Sequence, residues 1–331
     1  MEDNITVIDP YYVSVHQTTK HVASAFVSIS FLLGVPGNIL VLLEHIRMTR
    51  KLTVDWMIFY MAVCDILSLM VLPVFIVQIQ GYWAEIGLPE VLCKLHIFNS
   101  NSASMSSYFF CACTALERFY KVVLSKDLFS IRQAQFIWLP GFMMCYGLGL
   151  SSFLTVTNNA NGHCMVDVNK RTVSMVAYGS VMVIALVSSL IMTVCYLGIG
   201  VFLLRRTKEL SQSCLNVNFV RRYQSTIQMT KMLAFVTIIF LLSADIPYIA
   251  GFSIMIEHPQ DEPALSLVFL LSISFVVNNF INPFLYYNMN SSFRQRTKAI
   301  LRLVCCSNNT MPLENTGCCS DSQSKLTDVK F

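Results

Sequence analysis

Among the ionisable side chains inside the long apolar stretches of this sequence, three are considered first. They are Asp65, Asp245 and Arg118, which directly follows Glu117. A charge at the centre of a membrane helix costs about 2.5–3.5 kcal/mol on insertion scales. Such residues are retained where they bind an ion, contact a ligand or hold a switch, so these positions are the first candidates for function.

A stripe of polar residues leads along the third apolar stretch to one of these charges. It consists of Ser100, Ser104, Ser107, Cys111, Thr114 and Arg118. The steps alternate between four and three residues, which keeps the stripe on one helical face for about 27 Å. Such a face belongs inside a helix bundle. It indicates either helix–helix contact through small polar residues or a hydrated track from an outer pocket to an inner effector site.

The last apolar stretch combines amides with a proline. It contains Asn278, Asn279, Asn282, Pro283 and Tyr286. A proline removes one helical hydrogen bond, so this helix is predicted to bend between two arrangements, with a static kink as the alternative. Pro73 and Pro247 predict similar weak points in the second and sixth stretches.

The elements that position these residues are membrane helices. The chain is 55% hydrophobic and only 13% charged, whereas soluble domains carry about 25% charged residues. Crossing the hydrocarbon takes about 20 apolar residues. Seven stretches qualify: Val22–Ile46, Trp56–Gln80, Leu92–Leu124, Ala134–Val156, Thr172–Leu204, Thr226–Ile256 and Ala264–Asn288. We therefore predict an all-α membrane protein, a seven-transmembrane-helix bundle over residues 22–290.

A short amphipathic eighth helix is predicted over residues 291–304. Its apolar face holds Phe293, Ile300, Leu301 and Val304, and Arg294, Arg296, Lys298 and Arg302 surround it. This pattern is typical of a helix on anionic lipid. Cys305 and Cys306 follow it and are candidate palmitoylation sites, with free thiols as the alternative. Residues 305–331 are predicted to be a disordered tail whose serines and threonines offer sites for a receptor kinase and arrestin.

The distribution of basic residues predicts the orientation. With residues 1–21 outside, the outer segments hold only four of the 23 Lys and Arg residues, which places the N-terminus outside and the C-terminus in the cytoplasm. In this topology only Cys93 and Cys164 reach the oxidising outer surface, so we expect them to form a disulfide, with two unrelated cysteines as the alternative. Asn4 begins an outward glycosylation sequon, with an unmodified terminus as the alternative.

Motifs in every helix together resemble those of the rhodopsin-like G-protein-coupled receptors, with features of the peptide-receptor type. They are GNILV with Asn38, MAVCD with Asp65, Trp83, Cys93 followed 25 residues later by Arg118 in ERF, Trp138, Tyr196, Pro247 and NPFLY from Asn282 to Tyr286. The resemblance spans nearly the whole chain. It implies a receptor of the plasma membrane that activates a heterotrimeric G protein and is not an enzyme.

The resemblance also implies roles for individual residues. The activation switch would consist of Glu117, Arg118, Phe119, Tyr196, Asn282, Pro283 and Tyr286. Arg118 would face the G protein and be held by Glu117 when inactive, and outward motion of the sixth helix about Pro247 would open the inner cavity. Tyr196 and Tyr286 would then turn inward to hold Arg118.

An allosteric sodium site is a further implication of the resemblance. Asp65, Ser107, Asn278 and Asn282 match the family's sodium cage, and a carboxylate with hydroxyl and amide oxygens suits a hard cation. A water-filled polar cluster without sodium is the alternative. No other cofactor is expected.

Several positions depart from the family pattern. Phe119 stands where the family has Tyr, Ser188 replaces the fifth-helix proline, and Asp245 replaces the sixth-helix tryptophan. Position 227 is Ile where many relatives carry an acid that pairs with the third-helix arginine. We therefore expect a loosely held inactive state and appreciable basal signalling.

The ligand is predicted only by class. Amine receptors of the family carry an aspartate where this chain has Ser100, and opsins a lysine where it has Val276, so a monoamine or retinal is disfavoured. Nine acids against four bases in the outer segments favour a cationic neuropeptide, although loop solubility explains them equally well. A lipid or other small molecule remains open. Candidate pocket residues are Ser100, Ser104, Asp245 and Tyr248.

Asp245 has two possible explanations, namely contact with a cationic ligand group or internal hydrogen bonding. Other protein classes have less support. The sequence lacks enzyme motifs of the HExxH, GxSxG and phosphate-loop types, and no inverted repeat points to a membrane transporter or channel. Nothing in it indicates nucleic-acid binding.

Overall fold

The computed structural model describes the backbone of residues 15–82, 86, 89–158, 164–166, 171–210, 217–257, 266–267, 269–271 and 273–307. Within these ranges it leaves out the side chains of residues 155–158, 164–166, 171–178, 207–210, 217–223, 225, 247–257 and 303–307.

Ten helices and one two-stranded sheet make up this described part of the chain. In order they are α1 (Gln17–Arg47), α2 (Thr53–Met70), α3 (Leu72–Gln80), α4 (Glu90–Val123), α5 (Ile131–Phe136), α6 (Trp138–Thr155), β1 (Val156–Asn158), β2 (Cys164–Val166), α7 (Arg171–Leu210), α8 (Val217–Glu257), α9 (Phe275–Met289) and α10 (Ser291–Ser307). The predicted second crossing corresponds to α2 with α3, and the fourth to α5 with α6.

Six stretches of the described residues are long and apolar enough to cross a membrane, and they correspond to every predicted crossing except the third. The third crossing is α4, which is 34 residues long and carries the polar stripe. It lies at the centre, in contact with α2, α6, α7 and α8. The polar stripe is tolerated there because neighbouring helices cover it: Ser107, Cys111, Thr114 and Arg118 are all buried.

The second crossing breaks where Pro73 predicts a weak point. α2 ends at Met70, and α3 starts at Leu72 with the proline in its first turn. The first and seventh crossings instead continue as helices through Pro36 and Pro283.

Two features differ from the sequence-based prediction. β1 and β2 form an antiparallel hairpin in which Asn158 pairs with Cys164, and no strand is predicted there because each is only three residues long. The amphipathic helix ends at Ser307, so the first residues of the predicted disordered tail are helical.

Close helix packing depends on small residues at a few positions. A Cβ atom on Gly34 of α1 would lie 2.7 Å from Leu69 Cδ1 and 2.8 Å from Phe280 Cβ. α1 can therefore approach α2 and α9 closely only with glycine here. Asn38, one turn further, donates from Nδ2 to the Asn279 carbonyl at 2.8 Å and ties α1 to α9.

Candidate functional site

The inner end of the polar stripe is a buried ion pair on α4. Glu117 and Arg118 are 2% and 5% exposed, and both Nε and Nη2 of Arg118 lie 2.5 Å from Glu117 Oε2. A buried guanidinium without a partner would be strongly destabilising, so the neighbouring carboxylate explains how Arg118 is retained. Glu117 and Arg118 are therefore in contact, and the role of this pair in holding an inactive state stays a prediction.

The sixth crossing offers Arg118 only a weak partner. Arg118 Nη1 lies 3.7 Å from Met229 Sδ of α8, and a thioether is a weak acceptor. Position 227 of α8, where many relatives carry an acid, is Ile here and therefore provides no carboxylate for Arg118. In the described part of the chain, Glu117 and Met229 are the hydrogen-bond partners of Arg118, and Asp55 of α2 lies within electrostatic range of its charge.

The tyrosines expected to hold Arg118 are not hydrogen-bonded to it in this arrangement of the described residues. Tyr286 is 2% exposed and its hydroxyl has no hydrogen-bond partner among the described residues. The buried Tyr196 hydroxyl lies beside Thr237 of α8. Phe119 packs against the fifth crossing, where a Cβ on Gly198 would come within 2.7 Å of its ring. Among the described residues, neither tyrosine hydroxyl makes a hydrogen bond to the Arg118 guanidinium.

Asp65 lies at the centre of a polar cluster between α2, α4 and α9. It is 1% exposed, and its Oδ2 accepts a 2.9 Å hydrogen bond from Asn282 Nδ2. The Oδ1 atoms of Asn278 and Asn282 have no partner in the residues described, and Ser107 Oγ has only the Cys64 thiol beside it. Of the four predicted cage residues, Asp65 and Asn282 are in direct contact. Ser107, Asn278 and Asn282 are buried with side-chain oxygen atoms that have no strong donor among the described residues. This donor set fits a small hard cation.

Asp245 is held by hydroxyl groups from two other helices. Its Oδ1 accepts a 2.6 Å hydrogen bond from Tyr108 of α4. Ser189 of α7 donates to the same carboxylate at 3.3 Å and 3.2 Å. No basic side chain in the described ranges pairs with it. Internal hydrogen bonding, one of the two explanations offered for Asp245, is therefore observed.

The remaining candidate pocket residues are only partly described. Ser100 and Ser104 lie in the outer half of α4 and are partly exposed. The side chain of Tyr248 lies outside the described residues, as do Asn4, Trp83 and the side chains of Cys164, Cys305 and Cys306. Cys93 is disulfide-bonded. The backbone of Cys164 belongs to β2, which contacts α4, and the pairing of these two cysteines stays a prediction.

The amphipathic helix is anchored to the bundle by two arginines. Arg296 Nε lies 2.5 Å from Oε1 of Glu44, which is buried at the inner end of α1. Arg294 donates to the carbonyls of Tyr287 and Asn288, the last turn of α9. The sequence predicted that both arginines surround the apolar face of a helix on anionic lipid, and it did not single out Glu44. The signal was a lone acid inside the first apolar stretch.

Tyr108 and Ser189 were also missed, because a tyrosine and a serine in apolar helices give no signal until their partner is known. Sequence alone shows neither that Asp245 of the sixth crossing faces α4 and α7 nor which hydroxyls are within its reach.

Comparison with known proteins places these features in a family. Residues 37–286 match the model of the seven-transmembrane receptors of the rhodopsin family. The human C-X-C chemokine receptor type 5 is 33% identical over 126 residues, 35% of this chain, and the matched segment spans only a third (33%) of that receptor.

Two human receptors align over most of their length. The neuropeptides B/W receptor type 2 is 26% identical, covering 81% of this chain and 82% of the receptor. The free fatty acid receptor 3 is 25% identical, covering 84% and 79%.

The fold itself is that of a solved structure. Squid rhodopsin superposes with a TM-score of 0.72 over 91% of each chain at 17% identity, which establishes the seven-helix bundle as the common architecture. The family match covers the Asp65 cluster, the Glu117–Arg118 pair and the NPFLY segment. The chain belongs to the rhodopsin family of seven-transmembrane receptors, an all-α membrane-protein family of receptors and not of enzymes.

Proposed function

We propose that this chain is a plasma-membrane receptor that binds an extracellular cationic peptide and activates a heterotrimeric G protein through its cytoplasmic face. The observation that carries the proposal is the buried Glu117–Arg118 pair at the inner end of α4. A guanidinium held there by its neighbour, and by only a sulfur from α8, is available to a partner once α8 moves away. The distribution of basic residues supports an extracellular N-terminus and a cytoplasmic C-terminus.

The peptide ligand is supported by charge and by relatives. The outer segments are predicted to be acidic, and such a surface steers basic ligands. Among the outer acids Glu90 is already paired, 2.6 Å from Lys94, so the other acids carry this part of the argument. Among the relatives, the neuropeptides B/W receptor type 2 is by name a receptor for neuropeptides, and the C-X-C chemokine receptor type 5 is by name a receptor for a chemokine.

A small-molecule ligand is the second candidate. The observation that favours it is the similarity to free fatty acid receptor 3 over 84% of the chain. A fatty acid is an anion, so it would be repelled by Asp245, whereas a peptide amine or guanidinium would be attracted to it. A receptor for an anion would therefore be expected to respond better when this carboxylate is neutralised.

Guanine-nucleotide exchange on added G proteins tests the function directly. Membranes from cells that express the chain are screened with a library of basic neuropeptides and with fatty acids, using Arg118→Gln as the inactive comparison. We expect a basic peptide to accelerate exchange and Arg118→Gln to abolish that response without loss of surface expression. Solute or ion flux without nucleotide exchange would instead identify a transporter or channel.

The Asp245→Asn change then tests charge recognition. An agonist whose ammonium or guanidinium contacts Asp245 is expected to lose about tenfold or more in potency, since hydrogen bonds to charged groups contribute about 1.5–3 kcal/mol. A neutral analogue of the same agonist should be insensitive to the substitution. Equal losses for both would exclude charge recognition at this position.

Sodium binding at Asp65 is a further part of this proposal. Asp65, Ser107, Asn278 and Asn282 would supply the oxygen ligands, and the cation would stabilise the closed arrangement by neutralising the buried carboxylate. Ligand binding stabilises a fold by about 1.4 kcal/mol when the ligand is at ten times its dissociation constant. Thermal unfolding in NaCl and in N-methylglucamine chloride measures this gain without any signalling assay.

The proposal also includes partners and modifications for α10 and the tail that follows it. We propose that α10 contacts anionic lipid through Lys298 and Arg302, which are exposed, that Cys305 and Cys306 carry palmitoyl groups, and that the tail is phosphorylated by a receptor kinase and then binds arrestin. Mass spectrometry of the purified chain detects the acylation and phosphorylation, and also glycosylation at Asn4.

A further inference from the structure

The carboxylate of Asp245 joins three crossings at one point. α8 provides the acid, α4 provides Tyr108, and α7 provides Ser189, with hydroxyl-to-carboxylate distances between 2.6 and 3.3 Å. Hydrogen bonds to an ionised acceptor are about twice as strong as those between neutral groups. Tyr108 is 1% exposed, so water competes little for its bond.

This cluster lies far along α8 from the inner end of that helix, so its bonds can influence the position of the inner end. Asp245 lies 16 residues after Met229, or about 24 Å along the helix at 1.5 Å per residue. At the inner end, the contact of α8 with Arg118 is only the 3.7 Å approach of the Met229 sulfur. In the described residues, the strong polar contact between α8 and α4 is therefore at Asp245 and not at Met229.

The tyrosine ring and the tyrosine hydroxyl contribute separately. The ring of Tyr108 packs edge-on against Phe240 of α8, with centroids 4.7 Å apart and an interplanar angle of 81°. A phenylalanine at this position would keep that packing and lose only the hydroxyl. The energetic share of the hydrogen bond can therefore be measured without creating a cavity.

We propose that Tyr108, Asp245 and Ser189 form a polar latch that holds the sixth crossing to the third and fifth and thereby keeps the inner cavity closed. The latch rests on the proposed receptor function, because it regulates the site at which the G protein would bind. In many relatives an acid at position 227 would hold the sixth crossing to the third-helix arginine, and here the latch would hold the sixth crossing instead. It also gives a cationic ligand a way to act, since a cation at Asp245 replaces the two hydroxyl donors.

The test measures the position of α8 directly. Trifluoromethyl-phenylalanine replaces Lys231, an exposed residue near the inner end of α8, and fluorine NMR of the full chain reports the populations of closed and open arrangements. Loss of a hydrogen bond to a charged group shifts a two-state equilibrium about tenfold or more. An open fraction of about 1% would rise to about 9% in Tyr108→Phe.

Matched controls separate the latch from general loosening. Tyr146→Phe also removes a tyrosine hydroxyl from a helix contact, here the 3.4 Å bond to Asn99 Oδ1, but it does not involve α8 and should leave the populations unchanged. Ser189→Ala should shift them in the same direction as Tyr108→Phe and by less, because its bonds are longer. Ser151→Ala, which loses only a local bond to the Leu148 carbonyl, is its control.

The outcomes distinguish the latch from the receptor proposal. An increase in the open population for Tyr108→Phe and Ser189→Ala, with none for the two controls, supports the latch even if no G protein responds. In that case the receptor proposal fails alone. Unchanged populations in Tyr108→Phe, or the same increase in Tyr146→Phe, overturn the latch. If Tyr108→Phe does not fold, Ser189→Ala against Ser151→Ala decides the question in the same way.

Discussion

The pairing of Glu44 with Arg296 predicts an asymmetric response to mutation. Glu44 is 4% exposed and Arg296 35% exposed, and their side chains meet at 2.5 Å. Arg296→Gln leaves a buried carboxylate without its cation, whereas Glu44→Gln leaves an arginine that reaches water or lipid headgroups. The first change should therefore destabilise the fold more than the second.

The loss of stability expected for each variant follows from how exposed the remaining side chain is. Breaking a fully buried ion pair costs about 3–5 kcal/mol, and solvent-exposed pairs contribute about 0–1 kcal/mol. With one partner buried and the other a third exposed, we expect about 2 kcal/mol for Arg296→Gln and about 1 kcal/mol for Glu44→Gln. The double variant should be more stable than the sum of the single changes predicts, because neither charge is then left alone.

Thermal unfolding of the solubilised chain measures these differences. The free thiols of Cys64 and Cys145 are buried, so a thiol-reactive dye reports their exposure on unfolding. Lys298→Gln, on the exposed side of the same helix, is the control and should change the free energy of unfolding by less than about 0.5 kcal/mol. Equal effects of the two single changes, or strict additivity in the double variant, would refute the reasoning.

Further predictions concern packing, the ion site and the disulfide. Gly34→Ala should destabilise the fold by about 1–3 kcal/mol through overpacking against Leu69 and Phe280, whereas Gly147→Ala, with nothing within 4 Å, should be neutral or stabilising in the same unfolding assay. Asp65→Asn should abolish any difference in melting temperature between NaCl and N-methylglucamine chloride, and a persisting difference would place the cation elsewhere. Cys93→Ser should lower stability by about 2–4 kcal/mol, as measured by unfolding with and without reductant.

The sequence predicted the membrane helices well because their signal is local. Long runs of apolar residues and the break at Pro73 are properties of consecutive residues, and the structure has helices at all seven predicted crossings. The proline and amide residues of the seventh crossing and the ERF segment could be found in the same way, since their spacing along the chain is what the family pattern records.

Partners from distant segments were not accessible to this reasoning. Nothing in the local sequence relates Glu44 to Arg296, which lie 252 positions apart, or Tyr108 to Asp245, which lie 137 apart. Those pairs depend on the rotation of each helix about its axis. Rotation is set by packing against several neighbours at once, through contacts such as that of Gly34 with α2 and α9.

The sequence by itself therefore determined the number of crossings, their order, the predicted orientation and the family, because hydrophobic length and residue spacing are one-dimensional quantities. Only the tertiary structure decided what each buried polar group contacts. It gave Arg118 a sulfur instead of an acid on α8, and it gave Asp245 two hydroxyl donors. The physical reason is that a buried charge must find its hydrogen bonds within about 3 Å, and only the assembled bundle determines which side chains come that close.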